Sequence, residues 1–236
     1  FWIIGFGKVG RRALERLRRR SSGAAITVVD PRYPDAPEGL PPGIDWRGED
    51  GVAFLVRRLT GREDPSPWIV PAVPIHLACA WLAARLRAVG TFAPRPVPEV
   101  VAAELPNAVR GPEGQAYISI ADFICPETCS EPAQKCPVTG QPRPFDLYTR
   151  LAAIRHAPYR SLVIRSFQLA PGLGGYRGRQ LTEALETVRS HPGYYFLSTA
   201  SKCHGVLHAF KLEKQDSRGQ GAEVSRGNEG RREENG

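Results

Sequence analysis

The chain has 236 residues, 42% of them hydrophobic, and a formal net charge of +8 carried mainly by arginine. That is enough apolar sequence to bury a full core, and no run is long and apolar enough to form a membrane-spanning helix, so a cytoplasmic protein is expected. The basic residues are scattered and no nucleic-acid module is recognisable, which argues against a nucleic-acid partner. No methionine occurs and the first residue already reads as strand, so the sequence is expected to be part of a longer chain. No signal peptide is visible.

Phe1 to Ile4 reads as a buried strand that runs into Gly5-Phe6-Gly7-Lys8-Val9-Gly10, followed by a helix that closes on Arg16 to Arg20. Cations at that end complement the helix dipole. A second strand, Ala25 to Val29, ends at Asp30, twenty residues after Gly10. This is the dinucleotide fingerprint in the context it requires. Gly5 allows the tight turn, Gly7 the approach of a pyrophosphate, and Gly10 the close packing of helix on strand. The helix N-terminus supplies free amides to phosphate, and Asp30 a carboxylate to the ribose hydroxyls. The binding set is therefore Gly5, Phe6, Gly7, Lys8, Val9, Gly10, Asp30 and Arg32. NAD(H) is favoured over NADP, because Asp30 would repel a 2'-phosphate that Arg32 could otherwise meet.

A strand at Gly43 to Trp46, a helix near Gly51 to Leu59, a strand at Trp68 to Pro74 and a helix from Ile75 to Val89 continue the alternation, the last with Leu77, Ala80, Trp81 and Ala84 on its apolar face. Pro94 to Pro98 is expected to break regular structure. Beyond it follow a strand at Ala116 to Phe123, a helix near Phe145 to Ile154, a strand at Ser161 to Ser166, a helix near Arg179 to Arg189, and strands at Tyr194 to Ser198 and Val206 to Lys211. The fold class expected is α/β: a Rossmann-like, doubly wound, mostly parallel sheet (residues 1–92) with an α/β extension of the same sheet (93–212). Residues 213–236, with almost nothing apolar, are expected to be a disordered tail.

The run Ile3-Ile4-Gly5-Phe6-Gly7-Lys8-Val9-Gly10-Arg11-Arg12, with Val28-Val29-Asp30, resembles the NAD(P)-binding domains of the regulators of potassium conductance and the TrkA-type potassium-uptake proteins. The likeness covers about the first third of the chain and is shared less closely with many dehydrogenases. It implies a nucleotide that shifts a conformational equilibrium without being consumed, held by Gly5, Gly7, Gly10 and Asp30. A homodimer and a membrane transporter are the partners that such a regulator would have.

Three of the five cysteines fall at Cys125, Cys129 and Cys136, and a fourth, Cys203, directly precedes His204. If the strands before Cys125 and Cys203 run parallel in one sheet, their C-terminal ends bring both cysteines to one edge, where α/β sheets bind ligands. The spacing matches neither a zinc knuckle nor a standard ferredoxin run. Cys125-Pro126 and Cys136-Pro137 nevertheless resemble the setting of iron–sulfur ligands. A metal site of Cys125, Cys129, Cys136 and Cys203 is expected, iron–sulfur ahead of zinc, with His204 as alternative fourth ligand. A redox-sensing disulfide from Cys125 or Cys129 to Cys136, or unpaired thiols, are the other readings. Cys79 reads as a small core residue.

His76, at the start of a helix, is a candidate acid or base, and equally a capping or partly buried residue. Gln168 to Tyr176 reads as a Gly-rich turn after a strand, able to present amides to an anion, with Tyr176 as the side chain to touch a ligand. No complete catalytic set emerges. The function expected is an NAD(H)-binding regulator with a cysteine-ligated metal or iron–sulfur site. The alternative is an NAD(P)-dependent oxidoreductase or electron-transfer protein using that centre.

Overall fold

The computed structural model describes residues 1–61, 66–132 and 134–214. In chain order the elements are β1 Trp2–Ile4, α1 Lys8–Arg20, β2 Ile26–Val29, β3 Ile44–Arg47, α2 Gly51–Arg58, β4 Trp68–Pro71, α3 Leu77–Leu86, β5 Gly90–Arg95, α4 Glu99–Ala103, β6 Val109–Arg110 and β7 Ala116–Ser119. They continue with α5 Leu147–Ala152, β8 Arg160–Arg165, β9 Phe167–Ala170, β10 Leu173–Arg177, α6 Gly178–Ser190, β11 Gly193–Ala200 and β12 His204–Lys214.

The strands form two mixed sheets in an α/β fold. The first has the order β3-β2-β1-β4-β10-β9, its first four strands parallel and its last two antiparallel. The second has the order β6-β7-β12-β11-β8, with β5 also paired to β12; of its contacts only β11 with β8 is parallel.

Alternation along the strands explains the layers. In β1, Ile3 packs with Ala13, Leu14 and Leu17 of α1, whereas Ile4 packs into a central core with Phe54, Trp81 and Leu82. In β11, Tyr195 and Leu197 join that same central core, while Phe196 and Ala200 face Leu147 and Leu151 of α5. Helices α2, α3 and α6 thus fill the space between the two sheets. Buried apolar residues of α3 (Leu77, Ala78, Trp81, Leu82, Leu86) cover most of its circumference because it meets neighbours on nearly every side.

Several expectations change. The second half does not extend the first sheet as a continuous series; only β9 and β10 do so, and the rest build the second sheet. Long hairpin pairing between β11 and β12, from Gly193↔Leu212 to Ala200↔Gly205, offers the later strands more ladder partners than the edge at β4 could. Pro94 does not break regular structure, because it lies in β5, which pairs with β12 alone. An edge strand can hold a proline, since one of its two sides needs no amide donor. The Gly-rich stretch is mostly hairpin, with β9 and β10 joined at Pro171 and Gly172. No helix among the described residues is long and apolar enough to cross a membrane. Of the expected tail, residues 213 and 214 instead lie in β12, paired with β5, and residues 215–236 lie outside the described residues.

Candidate functional site

Gly5 sits at the C-terminal end of β1 with φ +101°, and a Cβ there would meet the Ala72 carbonyl oxygen at 2.5 Å. Gly10 lies in the first turn of α1, where a Cβ would strike the Gly5 carbonyl oxygen. The two glycines therefore do what the spacing predicts: one makes the turn and the other lets the helix lie against it. Gly7 is the N-cap of α1, and Lys8 and Val9 are exposed beside it. Phe6 is buried against Trp46, with the Arg11 guanidinium over its ring.

Asp30 is 2% exposed and its carboxylate is already engaged. Oδ2 accepts from the Phe6 amide at 2.6 Å and from Arg32 Nη2 at 2.7 Å, and Oδ1 from Arg32 N and Nε, each at 2.9 Å. The Arg32 hydrogen bond, above all, holds the Asp30 carboxyl down at about 2, below its ordinary 3.8, against the opposing effect of burial. Ribose hydroxyls reaching Asp30 would compete with Arg32, whose side chain is itself exposed. Asp30 thus braces the glycine turn through Phe6 as well as offering a carboxylate at the end of β2.

The chain between β7 and α5 carries the cysteines. Cys125, Cys129, Cys136 and Cys203 all line one cavity of about 610 Å³, together with Arg143 and Gln168. Cys203 reaches it from the β11–β12 turn. Strands β7 and β11 are both antiparallel to β12, hence parallel to each other, and their C-terminal ends share an edge. Sequence reasoning placed the cysteines together through a parallel sheet; the mixed sheet does it with one intervening strand.

Each sulfur has a distinct setting. Burial pushes the Cys125 thiol up, and the other three cysteines add to this by lying close enough to repel its thiolate. Backbone amides of Thr139 and Val138 hold the Cys136 thiol down, within a turn closed by Gly140 N donating to the Cys136 carbonyl at 2.8 Å. Burial pushes the Cys203 thiol up, opposed by Arg143, whose Nε donates to Cys203 Sγ at 3.0 Å. The Glu131 amide donates to Cys129 Sγ at 3.4 Å. The donors on Cys136 favour its thiolate, the form that binds metal, whereas at Cys125 and Cys203 burial prevails.

Four thiolates around a single tetrahedral ion at about 2.3 Å would lie about 3.8 Å apart. Among the described residues, the set of three or more ligand atoms that all fall within 4.8 Å of one another is His76, Cys79 and His208, not the cavity cysteines.

The cysteine loop also touches the glycine turn's helix. Glu127 pairs with Lys8 at 3.6 Å and with Arg12. The Gly172 amide donates to the Cys129 carbonyl at 2.7 Å, and Gln168 Nε2 donates to the same oxygen at 2.6 Å. Gly172, at φ +62°, leaves no room for a Cβ beside the Glu127 carbonyl. The Gly-rich turn therefore seats the cysteine loop. Tyr176 is buried at 1% exposure, and its hydroxyl has no partner among the described residues.

His76 is the N-cap of α3 but its side chain caps nothing. Nε2 lies 2.7 Å from Thr199 Oγ1 and Nδ1 lies 2.9 Å from His208 Nδ1. It lines a second cavity, of about 400 Å³, with Tyr176, Thr199 and Ser166. His204, Ser201 and Gly174 line both cavities, so the two adjoin. The pairing of His76 with His208 was not legible in sequence, since 132 residues separate them.

Fold and site together define an α/β protein of two mixed sheets, with a cysteine-lined cavity at the edge of the second and a glycine turn on the first. The chain belongs to the AF_1314_C family, described as "Uncharacterized protein, C-terminal domain", whose model matches residues 78–213. The match spans α3 to β12 and includes all four cavity cysteines and His208; the glycine turn and His76 precede it. No curated protein and no solved structure matches the chain.

Proposed function

We propose that this is a nucleotide-binding regulator in which the glycine turn of a Rossmann-like first sheet holds NAD(H) and Cys125, Cys129, Cys136 and Cys203 hold an iron–sulfur cluster. The observation that carries the reading is the convergence of these four cysteines, from two distant segments, on one cavity whose loop is tied to α1 by Glu127. Support for the nucleotide comes from Gly5 and Gly10, which fit the turn, and from the parallel order β3-β2-β1-β4 around it. The resemblance to regulators of potassium conductance supplies the mode: the nucleotide acts as a ligand that biases a conformation.

Coupling follows from the contacts. Lys8 and Arg12 stand at the start of α1, where a pyrophosphate would be drawn by the free amides and dipole. Both cations are already paired with Glu127, so a bound anion would compete with the cysteine loop for them. Occupancy at one place is thereby linked to the loop's position at the other, and the effect must be reciprocal.

The test is an anaerobic NADH titration of the metal-loaded protein and of the Cys129→Ser variant. A several-fold difference in NADH affinity is expected. Equal affinities would overturn the coupling, and absence of binding in both would overturn the nucleotide assignment. A second reading, an oxidoreductase or electron-transfer protein, is favoured by the adjoining cavities, which leave room for a substrate beside the cysteines. Bleaching of the centre's absorption by NADH would select it.

A further inference from the structure

Among the described residues, a group of side chains of the types that ligate metals converges between the two sheets. We propose that His76, Cys79 and His208 bind a single zinc ion, with a fourth coordination position left to solvent or substrate. The proposal does not rest on the reading of the cysteine loop.

Ligand atoms of the three residues all lie within 4.8 Å of one another. The local part is an H-x-x-C spacing that sets His76 and Cys79 on one face at the start of α3, three residues apart. The third ligand comes from β12, where alternation turns His208, with Phe210 and Leu212, toward α3 and the opposite set, Leu207 and Ala209, toward α5. Two imidazole nitrogens on a tetrahedral zinc at about 2.0–2.1 Å sit about 3.3 Å apart. The 2.9 Å between His76 Nδ1 and His208 Nδ1 therefore needs to open by only a few tenths of an ångström.

The outer partners match what a ligating histidine requires. Its second ring nitrogen normally carries the proton and donates to an oxygen, which fixes the tautomer and turns the other nitrogen to the metal. His76 Nε2 meets this with Thr199 Oγ1 at 2.7 Å; the Glu113 carboxylate stands 3.7 Å from His208 Nε2, beyond a direct hydrogen bond and within ion-pair distance. With both distal nitrogens protonated, both Nδ1 lone pairs face the shared space. Two imidazoles and one thiolate form a borderline-soft set suited to zinc, and three protein ligands are the pattern of open zinc sites. His76 also lines the 400 Å³ cavity, where the buried Tyr176 hydroxyl has no partner among the described residues. A metal with an open position beside such a cavity would present a polarised water to a small polar substrate.

The experiment measures zinc after reconstitution and dialysis in a chain carrying Cys125→Ser, Cys129→Ser and Cys136→Ser, which removes the loop as a source of ligands. One zinc per chain is expected, falling to near zero when His208→Gln is added. Cobalt substituted in the same protein should show thiolate charge-transfer absorption that Cys79→Ser abolishes. Thr199→Val should weaken zinc about 10-fold or more by removing the oxygen that His76 Nε2 faces. Should the loop-substituted chain fail to fold, His208→Gln and Cys79→Ser in the otherwise unchanged chain each lower total zinc by one equivalent. Zinc content unaffected by His208→Gln, or no zinc in a folded loop-substituted chain, overturns the proposal.

Discussion

Replacing Asp30 by asparagine should cost about 2 kcal/mol at neutral pH. The side chain keeps its shape, but its amide cannot accept from Phe6 N and the Arg32 fork at once, and at least one buried donor loses its partner. The magnitude follows from the carboxyl's displacement from 3.8 to about 2, which corresponds to about 2.4 kcal/mol of preference for the ionised form in the folded state. Arg32 is exposed over more than half of its side chain, so solvent screens part of that, and about 2 is the working figure. Because the folded value lies below the unfolded one, the contribution is fully present above the ordinary carboxyl value and is lost as pH falls toward about 2. Urea unfolding of both proteins at pH 7 and pH 3 is the assay. Wild type should exceed the variant by about 2 kcal/mol at pH 7 and by about half that at pH 3. A difference that is absent at pH 7, or identical at the two pH values, would refute the reasoning.

Gly172→Ala forces a Cβ against the Glu127 carbonyl at a left-handed backbone position, and should destabilise the protein by about 1–3 kcal/mol and displace the cysteine loop; thermal unfolding and metal content after reconstitution check both effects. Glu127→Gln removes the anion that pairs with Lys8 and Arg12 and should tighten NADH binding severalfold at low salt, an effect that shrinks as salt is raised, measured by fluorescence titration. Tyr176→Phe removes a buried hydroxyl that has no partner among the described residues and should leave stability unchanged or raise it by up to about 1 kcal/mol, read from the urea midpoint; a loss of more than about 1 would show the hydroxyl to be satisfied.

What could be read beforehand was local. Gly5, Gly10 and Asp30 carry their meaning in their spacing, because turn, helix start and strand end are consecutive in the chain and each glycine's role is set by backbone sterics. The helical face of α3 was equally visible in Leu77 and Trp81. What was not visible depends on which strands pair. Alternating strands and helices suggested one parallel sheet, but β11 and β12 are consecutive, long and joined by a short turn, so they pair antiparallel and found a second sheet. The four cysteines line one cavity because strands separated by an antiparallel partner still end at the same edge. Cys79 reads as an ordinary core residue until β12 brings His208 opposite it; the H-x-x-C spacing of His76 and Cys79 was the one available signal. Tyr176 is buried by the pairing of β10 with β4 and lines the cavity beside His76.

The most direct test of the central claim is iron, zinc and acid-labile sulfide analysis of anaerobically purified protein, wild type against Cys129→Ser. The account predicts iron with matching sulfide in the wild type and its loss in the variant, with any zinc held by His76, Cys79 and His208 retained in both. Iron and sulfide unchanged by Cys129→Ser, or absent from the wild type, would contradict it.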